Sequence, residues 1–195
     1  MENPKIAIGI PTYGTLKTKT FVSILKFVKS VSFEVPVITQ IGSYIQENRE
    51  SIVEKALEGD ISRLLFVDHD MLFEPQDVEQ LYNRGKDIIG APFSLRTTPS
   101  NPFETVKNKD LHGNEIWEEY ENGLIKCCAV GTGFMLINLE VFKKIPKPWF
   151  QLEYSKEGKL QYGEDMSFCR KAREAGYDIW CDTKVKLGHI GDFVY

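Results

Sequence analysis

Apolar residues fall along this chain in two rhythms. Short unbroken apolar runs predict strands buried on both faces, and longer stretches with apolar positions returning every three or four residues predict amphipathic helices. Lys5 to Ile10 is the first run, broken by Pro11-Thr12-Tyr13-Gly14. A helix follows with Phe21, Ile24, Leu25, Val28 and Val31 on its apolar face. Val35 to Ile41 is a second strand, and Tyr44 to Leu57 a second helix with Ile45, Ile52, Val53, Ala56 and Leu57 inward. Arg63 to Asp70 is a third strand whose apolar run ends in two acids. Pro75 opens a third helix with Val78, Leu81 and Tyr82 inward, and Gly85 closes it. Asp87 to Ala91 is a fourth strand. This alternation predicts a Rossmann-like, mostly parallel sheet over residues 1–91.

The second half, 92–195, is less regular. Pro92 to Gly123 is polar and predicts long loops with one hairpin. Leu124 to Val130 and Phe134 to Asn138 read as strands flanking Gly131-Thr132-Gly133. Glu140 to Ile145 is a short helix stopped by prolines, and Trp149 to Gly158 a loop. Glu164 to Ala175 is a helix, Tyr177 to Cys181 a last strand, and His189 lies in the tail. No second core and no linker is visible. The expectation is one α/β domain with a mixed, mostly parallel central sheet flanked by helices.

Composition narrows the class. A chain of 195 residues with 42% hydrophobic positions can bury a full single core. Its 24 basic and 28 acidic residues argue against a nucleic-acid binder. No apolar run approaches the ~20 residues of a membrane span, and the N-terminus lacks a signal-peptide pattern, so a cytoplasmic protein is expected, in a host cytoplasm if viral. Cys127, Cys128, Cys169 and Cys181 form no C-x-x-C pair, which disfavours zinc. Buried free thiols are expected, with a bridge to Cys181 left open.

Candidate chemistry gathers where strands end, because open α/β sheets bind ligands at their carboxyl ends. If the backbone stays extended, Asp68 and Asp70 face one way together and His69 the other. Paired carboxylates suit a divalent cation, Mg²⁺ or Mn²⁺, or else form a solvated acidic turn. His189 is a candidate third ligand. Tyr13 lies against a base or ribose or is a half-buried turn tyrosine, and Asn48 and Arg49 open a helix as a solvated first turn or as partners for a diphosphate or a base edge. The glycines of Gly131-Thr132-Gly133 permit close backbone approach or a tight turn. Glu164 and Asp165 begin a helix, where the dipole favours acids and keeps a general base ionised. The first strand lacks G-x-G-x-x-G, and the chain lacks a Walker A loop.

In this order, the motifs resemble GT-A-fold glycosyltransferases of the family-2-like type, especially small phage and viral forms. The matching stretches are Ile10-Pro11-Thr12-Tyr13, Asn48-Arg49 with Ala56-Leu57, Leu65 to Asp70, Gly131 to Ile137, Gly163 to Arg170, and Ala175 to Trp180 leading to Gly188-His189-Ile190-Gly191. The resemblance implies a metal-dependent transfer of sugar from a UDP- or GDP-sugar to a glycan or protein acceptor. Pro11, Thr12, Tyr13, Gln40, Asn48, Arg49, Asp68, Gly131, Thr132 and Gly133 would line the donor site. Asp68, Asp70 and His189 would hold the ion. Asp165 would act as the base of an inverting reaction, supported by Glu164, and Trp117, Tyr120, Trp149 and Phe150 would form an acceptor platform. Relatives often read the base with an Asp after the second strand, where this chain has Thr39 to Ser43, so the base stays open. A nucleotidyltransferase and a non-catalytic nucleotide-sugar-binding module are the alternatives.

Overall fold

The computed structural model of the chain describes residues 5–95, 105–109 and 115–191. Its first half follows the predicted alternation: β1 (Ile6–Thr12), α1 (Thr18–Ser30), β2 (Val37–Ile41), α2 (Ile45–Glu58), β3 (Arg63–Val67), β4 (Met71–Leu72), α3 (Pro75–Asn83) and β5 (Ile88–Gly90). The second half contributes β6 (Val106–Lys107), β7 (Trp117–Tyr120), β8 (Leu124–Cys127), β9 (Ala129–Val130), β10 (Phe134–Asn138), α4 (Glu140–Lys144), β11 (Glu153–Tyr154), β12 (Leu160–Tyr162), α5 (Glu164–Glu174), β13 (Ile179–Asp182) and β14 (Gly188–His189).

Eight strands form one sheet in the order β2-β1-β3-β10-β5-β13-β8-β7. β2, β1 and β3 are parallel, as are β5 and β13. β10 and β8 run against their neighbours. Both faces are covered, which is why β3 reads as a continuous apolar run. Leu64 and Phe66 enter a core beneath α2, α4 and α5, while Leu65 and Val67 enter a second core beneath α1 and α3. A mixed sheet, mostly parallel in its inner strands and flanked by helices, is therefore present as expected.

Three local expectations are corrected. The inner face of α1 carries Thr20, Ser23, Ile24 and Phe27, whereas Phe21 and Leu25 are exposed. Ser23 is inside because its hydroxyl accepts a hydrogen bond from Phe73 N–H at 3.3 Å, seating α1 on the β4 segment. The Leu124–Val130 strand is broken at Cys128: β8 pairs with β13 and β7, and β9 with β6. The expected 92–123 loop adds β7 to the sheet edge, and residues 96–104 and 110–114 of it lie outside the described residues. Trp117-Glu118-Glu119-Tyr120 has no two-residue alternation, so periodicity could not find that strand.

The expected 149–158 loop is also richer than predicted. Trp149 is buried with its indole N–H donating to the carbonyls of Phe142 and Ile145. Phe150 stacks on Phe168 at 5.0 Å and meets Phe66 edge-on at 5.6 Å. Glu153–Tyr154 and Leu160–Tyr162 then pair as a hairpin that leads into α5. All four cysteines are buried thiols, as expected, and burial raises the thiol pKa of Cys127, Cys169 and Cys181.

Candidate functional site

The carboxyl ends of β1 and β2 are locked by backbone-directed side chains. Pro11 and Thr12 are buried within β1. The Thr12 hydroxyl accepts from Gly14 N–H (3.2 Å) and Thr15 N–H (3.1 Å), fixing the turn that leaves Tyr13 60% exposed. Asn48 is buried, and its amide donates to the carbonyls of Thr12 (3.3 Å) and Gly42 (3.0 Å). Asn48 therefore ties the two strand ends together, and its amide donors are spent on the backbone. Gln40 accepts from Lys55 at 2.8 Å on the surface.

The acidic pair departs from the expected geometry. β3 stops at Val67, and the chain turns, with Met71 N–H donating to the Asp68 carbonyl at 3.1 Å. The extended backbone that would have aligned Asp68 with Asp70 is absent, so the two carboxylates have different partners. Asp68 Oδ1 accepts from Arg49 Nη2 at 2.9 Å. Asp70 is 1% exposed, with Oδ1 at 3.4 Å from His189 Nε2 and Oδ2 at 3.9 Å from His69 Nε2. β14 pairs with β4, and Ile190 N–H donates to the Asp70 carbonyl at 2.9 Å, which brings the tail histidine to the acid. His189 Nδ1 lies 2.7 Å from the Ser94 carbonyl. A carbonyl only accepts, so Nδ1 carries a proton and Nε2 is the nitrogen turned to Asp70.

Arg49 occupies the centre of a second charge cluster. It is 2% exposed, its guanidinium lies 5.3 Å from the Phe66 ring centroid, and Nε is 3.6 Å from Glu164 Oε1. Burial opposes its charge, but the fields of Asp68, Glu164 and Asp165 outweigh burial and hold its pKa above the ordinary value. The solvated first turn that sequence alone permits for Asn48 and Arg49 is thus replaced by two buried side chains. Asp165 is half-buried at the start of α5 and accepts from Met166 N–H at 2.7 Å. Burial first, and the Glu164 charge second, push its carboxyl up to about 6, against the Met166 bond and Arg49.

The glycine turn is shaped by packing. A Cβ on Gly131 would meet the Phe93 ring at 3.1 Å, and one on Gly133 would lie 2.7 Å from that ring and 3.1 Å from Asp68 Oδ2. The Gly133 carbonyl also accepts from Asp68 N–H at 2.9 Å. Gly133→Ala is expected to cost about 1–3 kcal/mol through overpacking, read as a lower midpoint in urea unfolding with an unchanged slope. Thr132 is buried, and its hydroxyl has no hydrogen-bond partner among the described residues.

Sequence reasoning missed His69 as a neighbour of Asp70, and Phe93, which packs against both Gly133 and the His189 ring at 5.5 Å. A lone Phe after β5 carries no signal of that role. The expected acceptor platform is corrected. Trp149 and Phe150 are core residues, excluded from solvent by their packing. Trp117 is half-buried on the edge strand, its indole N–H donating to Glu119, and Tyr120 is exposed against Trp180.

Among the described residues, no three His, Cys, Asp or Glu side chains converge to hold a metal ion. Of the expected ligands Asp68, Asp70 and His189, Asp70 faces His189 while Asp68 pairs with Arg49. Asp70 and His189 remain a two-residue donor set for a divalent ion, Mn²⁺ better than Mg²⁺ because one donor is an imidazole. Asp70 is 1% exposed, so phosphate or water would complete the ion only if the side chains around it give way. The Nδ1–H bond from His189 to a backbone carbonyl is the kind of support that orients a ligating imidazole.

No helix among the described residues is long and apolar enough to cross a membrane. No family model matches the sequence, and no curated protein matches it. Among solved structures the chain is similar to A197 from STIV, with a TM-score of 0.63 at 22% identity over 96% of this chain and 86% of that one. At that identity the likeness shows a shared α/β fold.

Proposed function

We propose that the protein is a GT-A-fold, metal-dependent, inverting glycosyltransferase that moves a sugar from a UDP- or GDP-sugar to an acceptor hydroxyl. The observation that carries this reading is Asp165. It is a carboxylate at a helix start, grouped through Arg49 with the carboxyl end of a central parallel strand, and its ionisation is shifted toward neutrality. A general base works best with a pKa near the operating pH. Asp165 takes the proton of the acceptor hydroxyl, and Glu164 keeps company with it at the first turn of α5. Exposed Tyr13 at the end of β1 offers its ring to the base or ribose. Asp70 and His189 would hold the divalent ion, which when bound supplies positive charge against the departing diphosphate. The acceptor is a glycan or a protein.

Thermal unfolding with a panel of nucleotide sugars tests the reading. At about 100 times Kd, a donor is expected to raise Tm by roughly 5–10 °C with Mn²⁺ present and much less with chelator. A panel with no stabilising nucleotide sugar, with or without metal, would count against the proposal.

A further inference from the structure

We infer that Arg49 is a positioning residue that fastens the end of β3 to the first turn of α5, and is not a ligand of the nucleotide. The inference rests on the proposed function only in calling Asp165 a base. The side chain of Arg49 is 3% exposed, so a phosphate cannot reach the guanidinium without displacing the residues around it. Its contacts span three elements: α2 carries it, Asp68 follows β3, and Glu164 begins α5. Phe66 of β3 packs against the guanidinium from the sheet.

Only Nη2 makes a hydrogen bond to a described carboxylate, while Nε and Nη1 are buried with no hydrogen-bond acceptor among the described residues. Nε is the donor turned toward Glu164, at ion-pair distance. A guanidinium suits this task because its planar fork has several donors in fixed directions, whereas a lysine ammonium is a single point charge on a flexible stem. The charged or titratable groups whose fields act on Asp165 include Glu164, Arg49, Asp68 and Cys169, so Arg49 is the cation that balances this acidic group. By fixing Asp68 and Glu164 relative to one another, Arg49 sets where α5 presents Asp165.

The test compares Arg49→Lys with the parent chain. Calorimetry with UDP and with GDP, each with Mg²⁺, is expected to give Kd values within about threefold, since no nucleotide contact is lost. Transfer is expected to lose roughly 10²-fold in kcat, the scale of a base misplaced by about 1 Å. A tenfold or greater loss of nucleotide affinity, or an unchanged kcat, would overturn the inference. A second reading needs neither activity nor a folded Arg49 variant. The Arg49 Nε–H resonance in ¹⁵N NMR is expected to be protected from exchange and to move in Glu164→Gln. A signal that ignores Glu164→Gln but shifts with nucleotide would also overturn it. Should the parent chain show no transfer, the proposed function fails while this second reading still decides the role of Arg49.

Discussion

Asp165→Asn is expected to lose about 10²–10⁴-fold in transfer rate, the usual worth of a general base, while keeping donor affinity. The same change is expected to stabilise the fold at neutral pH. The Asp165 carboxyl is raised from 3.8 to about 6 in the folded chain, so its neutral form is the one the fold favours. Below pH 3.8 the group is protonated in both states, and its contribution is fully present. As pH rises toward 6 the unfolded chain ionises first, and stability is lost through that window. Above it the parent carries a penalty on the order of 1–3 kcal/mol that an asparagine does not. An asparagine oxygen can still accept the Met166 N–H. Urea unfolding at about pH 4 and pH 8 reads the effect, with the variant's advantage appearing only at the higher pH. The parent's transfer rate is expected to climb through pH of about 6 and level off as the base deprotonates. Undiminished activity in the Asp165→Asn variant would remove the assigned role.

Asp70→Asn carries the second large effect. The side chain is fully enclosed between His69 and His189, and the amide has nearly the same shape, so the fold is expected to survive. What is lost is a negative oxygen 3.4 Å from His189 Nε2, the one proposed to hold the ion. If the proposed ion sits there, the variant is expected to lose several kcal/mol of charge stabilisation at the leaving diphosphate, or about 10²–10³-fold in rate. Nucleoside diphosphate binding is expected to become indifferent to Mn²⁺ in the variant and to stay metal-dependent in the parent. Calorimetry with and without chelator checks this. Metal-dependent binding that persists in Asp70→Asn would place the ion elsewhere.

Much of the fold was legible because burial on both faces leaves an unambiguous mark. Leu64-Leu65-Phe66-Val67, short and bounded by polar residues, reads as an interior strand, and Pro75 and Gly85 bracket α3 as start and stop signals should. The site was less legible, for reasons of local geometry. Asp68 and Asp70 share a face only in an extended chain, and the turn closed by Met71 N–H redirects them. Nothing in that tripeptide announces the turn. Arg49 looked like a solvent-facing helix start because its partners, Asp68 and Glu164, lie far along the chain, beyond any periodicity. Trp149 and Phe150 have the composition of a sugar platform, but a Pro-rich approach and neighbouring Phe142 and Phe168 fold them inward. The edge strand Trp117–Tyr120 was hidden by its two glutamates, which an edge facing solvent accepts readily.

Sugar transfer at a diphosphate-handling site is the proposed reaction, and ³¹P NMR of nucleotide sugars incubated with Mg²⁺ and an acceptor panel follows it at the leaving group. The expected result is conversion of a UDP- or GDP-sugar to free nucleoside diphosphate by the parent chain, and far slower conversion by Asp165→Asn and Asp70→Asn. Release of pyrophosphate from a nucleoside triphosphate and sugar phosphate, or no conversion of any nucleotide sugar that demonstrably binds, would contradict it.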